Sequence, residues 1–134
     1  MQEQPDDPFP PGLTARVELT VTDADTAAAV GSGDVPVLAT PRVLALAEAA
    51  TVAATAPAMP AGSTTVGVRV ELAHLAATPV GRTVVADARL VGADGRRLLF
   101  EVTVTDGGTT VASGRVERAL VDRRRFVERA VRAS

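Results

Sequence analysis

The run TPRVLALAEAATVAATA, from Thr40 to Ala56, predicts a helix that begins with a hydroxyl N-cap followed by a proline and ends before Pro57. It is rich in alanine and leucine, and Glu48 is its only carboxylate. A surface helix normally presents several charges on a broad polar face. We therefore expect this helix to be largely enclosed.

Five segments around this helix alternate between apolar and polar residues, which is the pattern of half-buried β-strands. One precedes the helix and four follow it, at residues 13–21, 66–74, 82–91, 97–105 and 109–121. Asp94-Gly95 and Asp106-Gly107-Gly108 separate the last three segments and are typical of hairpin turns, which predicts an antiparallel meander. The arginine-rich residues 122–134 resemble a short amphipathic helix.

One sheet of about five strands that curls around a nearly uncharged helix accounts for all of these segments. This is the hotdog fold, an α+β architecture. A single copy would leave the helix half-wrapped and an edge strand unpaired, so we expect a homodimer. We assign residues 1–12 to a disordered leader, 13–126 to a single hotdog domain and 127–134 to a C-terminal tail.

The composition limits the classes of function. The chain has 134 residues, 14 of them basic and 16 acidic, and its net charge of −2 offers no surplus for binding nucleic acid. There is no cysteine and His74 is the only histidine, so we expect neither a metal site nor a cofactor. No apolar run is long enough to cross a membrane and no signal peptide begins the sequence, which predicts a cytoplasmic protein.

Three polar residues stand out against this apolar background. His74 falls on the apolar face of its strand, in register with Val66, Val68, Val70 and Leu72 and opposite Gly67. Its imidazole is therefore predicted to face the helix, where it would approach Glu48 within one subunit or across two. Thr40 stands at the helix start. An enclosed carboxylate needs a polar partner, which an imidazole and a hydroxyl can supply.

Each of these residues also has a purely structural interpretation. Thr40 alone is typical of an N-cap. Glu48 shares a helical stripe with Thr51 and Thr55, which is also the pattern of a narrow solvated face. A lone histidine that points inward is more often a hydrogen-bonded core residue than a catalytic one.

Two further residues are predicted to lie near the same space. Arg118 shares a strand face with apolar side chains, so its cation points either at a ligand or at a carboxylate of a neighbouring strand. Gly67 either lets a substrate approach the backbone closely or marks a strand bulge. The pair Asp23 and Asp25 is typical of a turn.

Four segments resemble the fluoroacetyl-CoA thioesterase family of hotdog proteins. They are ATPRVLALAEAA (39–50), TVGVRVELAHLAATPVG (65–81), DGRRL (94–98) and GRVERA (114–119), within a resemblance that covers about residues 13–126. The resemblance implies an acyl-CoA substrate and thioester hydrolysis. It places the catalytic roles on Thr40, Glu48 and His74, and the substrate contacts on Gly67 and Arg118.

The segment before the helix departs from that family, which carries phenylalanines there as a gate over the pocket. Here residues 27–39 read AAAVGSGDVPVLA, without an aromatic side chain. The resemblance therefore implies an open pocket for a short or medium acyl-CoA. The arginine run 123–125 could contact the phosphates of coenzyme A, although such runs usually form a solvated helix face.

Three alternative functions remain at this point. The first is a non-catalytic hotdog dimer that binds an acyl thioester or another small hydrophobic ligand. The second is a dehydratase for enoyl-thioesters, but the sequence shows no Asp/His pair in a hydratase-type segment. The third is a structural dimer in which Glu48 and His74 only form an interface pair.

Overall fold

A computed structural model describes residues 9–133, in which a long helix packs on one five-stranded antiparallel sheet. The strands are β1 Thr14–Thr20, β2 Ser63–His74, β3 Thr83–Asp94, β4 Arg97–Asp106 and β5 Thr109–Asp122. The helices are α1 Ala27–Val30, α2 Thr40–Thr55 and α3 Arg123–Ala133, with short 3₁₀ turns at Asp23–Asp25 and Ala56–Ala58. The predicted hotdog arrangement is confirmed.

The strand order in the sheet is β1-β3-β4-β5-β2, and all neighbouring strands are antiparallel. Strands β3, β4 and β5 form the predicted meander. Gly95 and Gly107 in its two turns have φ angles of 60° and 58°, a region that glycine adopts without steric cost. The order leaves β1 and β2 at the two edges, so within residues 9–133 the strand that carries His74 has a single neighbouring strand.

The core lies between the inner face of the sheet and one side of α2. The alternation predicted for β4 is confirmed, because Leu98, Phe100, Val102 and Val104 are all buried. Removing the fully buried Phe100 side chain from water contributes about 1.5–3 kcal/mol to folding. Seven residues of α2 complete the core: Val43, Leu46, Ala47, Ala50, Thr51, Ala54 and Thr55.

Two predictions for α2 are wrong. Ala39 is the N-cap, so Thr40 is already the first helical residue and its hydroxyl takes no part in capping. Thr51 and Thr55 are fully buried, and the Thr51 hydroxyl donates to the backbone carbonyl of Glu48 at 2.6 Å. Because the backbone supplies their hydrogen bonds, these threonines need no water, and the stripe they share is not a solvated face.

The helix is enclosed on one side only, whereas the sequence predicted a largely enclosed helix. Beyond its first turn, the exposed residues of its outer face are small and apolar: Ala45, Ala49, Val52 and Ala53. A single chain does not cover this face, because the five strands reach around only half of the helix. The half-wrapped helix expected for one copy of the chain is thus observed.

A β-bulge in β2 corrects the alternation predicted for that strand. Gly67 pairs with Arg118 of β5 and Arg69 with Glu117, so Val68 is an extra residue in the ladder. Val68 is 44% exposed and does not belong to the inner face. The extra residue shifts the alternation by one, and Gly67 therefore faces α2 as His74 does, not the opposite side.

The described residues include parts of the predicted leader and of the predicted C-terminal tail. The predicted leader lies mostly outside them, but Phe9 is buried in the core and the Gly12 N–H donates to the Leu90 carbonyl at 3.2 Å. Helix α3 runs without a break past residue 126, the predicted end of the domain. Within residues 9–133, no helix has both the length and the apolarity needed to cross a membrane.

Candidate active site

Helix α2 and strand β2 bring Thr40 and His74 into contact. Thr40 Oγ1 and His74 Nδ1 are 2.7 Å apart and form a hydrogen bond. This bond is available because Ala39 is the N-cap, which leaves the Thr40 hydroxyl free. His74 Nε2 is buried and has no hydrogen-bond partner among residues 9–133. An imidazole held at one nitrogen and unpaired at the other can exchange a proton with a bound molecule.

Glu48 is held by Arg118, which projects from β5 towards α2 as predicted. Arg118 Nη1 donates to Glu48 Oε2 at 2.8 Å, while Nε and Nη2 donate to the hydroxyl and the carbonyl of Thr65 at 2.9 and 3.0 Å. The Arg118 side chain is 8% exposed and that of Glu48 31%. This charge-assisted contact is therefore largely withdrawn from water. The carboxylate partner of Arg118 comes from the helix, not from a neighbouring strand.

Thr65 was not singled out from the sequence. It has the pattern of an ordinary strand threonine, and the neighbouring residues in the sequence do not indicate a hydrogen bond to a buried side chain. Its contact with Arg118 depends on the bulge at Val68, which places Thr65 and Gly67 on the inner face. A bulge of this kind arises from pairing with a distant strand, so the local pattern of residues does not reveal it.

The Glu48 carboxylate rests directly against the backbone of Gly67. A Cβ atom at position 67 would lie 2.5 Å from Glu48 Oε2 and 3.6 Å from Arg118 Nη1. No real Cβ approaches an oxygen so closely, and any other residue would displace the carboxylate. The bulge predicted as one interpretation of Gly67 is therefore observed. The group that approaches its backbone is the Glu48 carboxylate, and the approach of a substrate stays a prediction.

The five predicted site residues fall into two clusters. The first contains Thr40 and His74, and the second contains Glu48, Gly67 and Arg118. No hydrogen bond or ion pair within the described chain joins Glu48 to His74. Glu48 comes eight positions after Thr40, which corresponds to about 12 Å along the axis of α2. Contact between the acid and the imidazole stays a prediction for an assembly of two chains.

A cavity of about 370 Å³ opens beside the first cluster. Thr40 and His74 line it, together with parts of the connection between α1 and α2 and the residues that follow β2. The Leu38 N–H donates to the Thr78 carbonyl at 2.8 Å, which fastens this connection to the loop after His74. The volume of the cavity lies within the range of small-molecule pockets, about 300–1,000 Å³.

Asp25, in the 3₁₀ turn before α1, forms hydrogen bonds with Thr22 and with Arg42 of α2. Its carboxylate accepts the Thr22 backbone N–H at 2.8 Å, the Thr22 hydroxyl at 2.9 Å and Arg42 Nε at 3.1 Å. The backbone hydrogen bond from Thr22, then the Thr22 hydroxyl and Arg42, lower the pKa of Asp25 despite its partial burial. The turn predicted for the D-x-D pair is confirmed. Within residues 9–133, no three acidic or histidine side chains are grouped closely enough to hold a metal ion.

Comparison with known proteins identifies the family of this chain. A family model described as "Fluoroacetyl-CoA-specific thioesterase" matches residues 21–124. The chain belongs to this thioesterase family. The fluoroacetyl-CoA thioesterase of Streptantibioticus cattleyicolor is 39% identical over 90 residues, which are 67% of this chain and 65% of that protein. That alignment thus spans slightly less than two thirds of the relative's length.

Solved structures of fluoroacetyl-CoA-specific thioesterases have the same fold. A crystal structure of a variant of the thioesterase FlK is 30% identical with a TM-score of 0.88, and the match covers 96% of this chain and 99% of FlK. A second FlK variant, in complex with acetyl-CoA, is 28% identical with a TM-score of 0.89 and covers 94% and 99%. The family resemblance stated from the sequence is confirmed.

Proposed function

We propose that this protein hydrolyses a short or medium acyl-CoA, with Thr40, Glu48 and His74 as catalytic residues. The observation that carries the proposal is the Thr40–His74 hydrogen bond at the wall of the 370 Å³ cavity. Membership of a thioesterase family supports it, as does the acetyl-CoA bound to a related structure. The reaction adds water across the thioester and yields a carboxylic acid and the free thiol of coenzyme A.

The acyl group would occupy the cavity beside Thr40 and His74. Apart from Asp34 and His74, its lining side chains are small or aliphatic, and the connection between α1 and α2 contributes no aromatic ring. Without a bulky gate, the cavity accepts chains longer than an acetyl group and offers nothing that selects for a fluorine atom. These features favour short and medium acyl chains.

Glu48 supplies the carboxylate of this mechanism. It either attacks the thioester carbonyl as a nucleophile or takes a proton from the attacking water. Its carboxylate is already oriented by Arg118 and rests on the backbone of Gly67, beside which the substrate would lie. The hydrogen bonds of Arg118 favour a positioning role through Glu48 over direct contact with the substrate.

His74 and Thr40 handle the proton and the developing charge. Thr40 would hold the carbonyl oxygen with its hydroxyl, helped by a backbone N–H at the start of α2, as negative charge grows there. His74 would deliver a proton to the departing thiolate of coenzyme A. Nε2 of His74, which has no hydrogen-bond partner among residues 9–133, is the nitrogen available for this proton.

A homodimer would unite the two clusters. Strand β2 has a free edge and α2 has an exposed apolar face, so two surfaces of one chain are ready for a second copy. A two-fold axis between Val70 and Glu71 would pair the two β2 edges and set Gly67 opposite His74 of the partner subunit. Glu48 would then face the partner's His74.

Mixing two inactive variants tests this shared site. Glu48→Ala retains His74, and His74→Ala retains Glu48, so a mixed dimer has one complete site only if each site draws on both chains. We expect the mixture to recover about a quarter of wild-type hydrolysis, since half of the dimers are mixed and each has one of two sites intact. Recovery of nothing, with mixed dimers verified by mass spectrometry, would contradict the shared site.

The activity itself is tested with a panel of acyl-CoAs from acetyl to octanoyl and a thiol-reactive dye. We expect thiol release by the wild type and a loss of several orders of magnitude in Glu48→Ala, with the dimer still folded. A non-catalytic binding protein would show a raised melting temperature with acyl-CoA and no released thiol. That result would overturn the proposed function.

A further inference from the structure

A second cavity, of about 300 Å³, lies between α3, the end of β5 and the turn that joins β3 to β4. Three arginines line it, one from the β3–β4 turn and two from α3: Arg96, Arg125 and Arg129. The ring of Phe126 forms another part of the wall and is 40% exposed. Asp122 is the one carboxylate among the described lining residues. The cavity therefore combines a surplus of positive charge with an accessible aromatic face.

The arginines of this cavity are largely uncommitted. Arg125 and Arg129 make no ion pair with any residue between 9 and 133, and Arg96 makes only a 3.4 Å contact with the Leu120 carbonyl. Asp122 already accepts the backbone N–H of Arg125 at 2.9 Å, at the start of α3. Guanidinium groups are thus available for an external anion.

The cavity lies at the end of the sheet face that carries Arg118. Leu120 follows Arg118 on the inner face of β5 and lines the cavity. Asp122 comes four positions after Arg118, which corresponds to about 13 Å of extended strand. The pantetheine arm of coenzyme A can span such a distance, so one molecule could place its thioester beside Glu48 and its phosphates at α3.

We propose that this cavity binds the phosphorylated adenosine end of the acyl-CoA substrate. Arg96, Arg125 and Arg129 contact the phosphates through charge-assisted hydrogen bonds, and the adenine lies on the ring of Phe126. The inference rests on the proposed function, because it assigns the other end of the same substrate. Arg118 is unsuited to the phosphates, since its Nε and both terminal nitrogens already bond Thr65 and Glu48.

Binding of adenosine 3′,5′-bisphosphate, measured by calorimetry, tests the site without any reaction. We expect the double variant Arg125→Ala/Arg129→Ala to bind about tenfold more weakly than the wild type, because two charge-assisted contacts are lost. Arg123→Ala/Arg124→Ala is the matched control: it removes the same charge from the same helix, but neither residue lines the cavity. Equal loss in both variants would overturn the proposal, as would wild-type binding of inorganic phosphate as tight as that of the nucleotide.

Kinetics with two thioesters test whether this cavity contributes to acyl-CoA hydrolysis. Acyl-pantetheine carries the same reactive group as acyl-CoA and lacks the adenosine phosphates. We expect the ratio of kcat/KM for acyl-CoA to that for acyl-pantetheine to fall about tenfold in Arg125→Ala/Arg129→Ala and to stay constant in the control. A constant ratio in both variants would refute the inference. If neither thioester is hydrolysed by the wild type, the proposed function is wrong. The calorimetric measurement still tests whether the cavity binds the nucleotide.

Discussion

Arg118 and Glu48 form an ion pair across the boundary between sheet and helix, with Nη1 and Oε2 2.8 Å apart directly over Gly67. A cation of β5 thus determines where the only acid of α2 is held, and a glycine of β2 makes room for it. Three elements far apart in the chain therefore fix one carboxylate.

Adding a methyl group at Gly67 should disturb this arrangement. In Gly67→Ala the new Cβ would meet Glu48 Oε2 at 2.5 Å, so the carboxylate must move. We expect acyl-CoA hydrolysis to fall about 100-fold, the usual cost of a displacement near 1 Å, with little change in melting temperature because the flexible end of Glu48 yields. Gly92→Ala is the control, since its Cβ would have no neighbour closer than 4.0 Å. Wild-type activity in Gly67→Ala would show that the position of Glu48 is unimportant.

A double-mutant cycle on the free energy of unfolding should show a coupling energy between Glu48 and Arg118. Removing one partner leaves the other largely buried without its counter-charge, whereas removing both does not. From urea denaturation of Glu48→Gln, Arg118→Met and the double variant, we expect a coupling of about 1–3 kcal/mol. Partial exposure of Glu48 keeps the value below that of a fully buried pair. Strictly additive losses would mean that the pair contributes nothing to stability.

Substitutions at Thr40 distinguish a catalytic hydroxyl from a helix cap. Thr40→Ser keeps the hydroxyl bonded to His74 and should retain most of the activity. Thr40→Ala should lose about 100- to 1,000-fold in kcat, as when an oxyanion donor is removed. Its free energy of unfolding should hardly change, because the N-cap is Ala39. A capping residue would show the reverse pattern, with a loss of about 1 kcal/mol in stability and normal turnover.

Asp25 should make the protein sensitive to acid. Its pKa is lowered below the ordinary value of 3.8, first by the backbone hydrogen bond from Thr22. The unfolded chain therefore takes up this proton at a higher pH than the folded chain, and the stabilisation is present above pH 3.8 and lost as the pH falls below it. Urea denaturation of wild type and Asp25→Ala across this range should show a stability difference that shrinks on acidification. A difference independent of pH would contradict this.

Local patterns in the sequence were enough to predict the secondary structure and to select candidate site residues. Alternation over two residues reports which side of a strand is buried, and Asp-Gly pairs report where the chain turns, so β1, β3, β4 and β5 were placed correctly. Glu48 was conspicuous because no other acid lies in its helix. These signals concern neighbours in the sequence, and hydrophobic burial makes them reliable.

The prediction failed where an outcome depends on distant partners. The bulge at Val68 arises because β2 must match β5, and it turns Gly67 and Thr65 towards Glu48. The choice of Arg118 as the partner of Glu48, and of Thr40 as the partner of His74, likewise follows from how α2 lies on the sheet. Residue types and their spacing were therefore enough to name the family and to select the candidate site residues. Which of those side chains touch was settled by packing, because one extra residue in a ladder inverts every face beyond it.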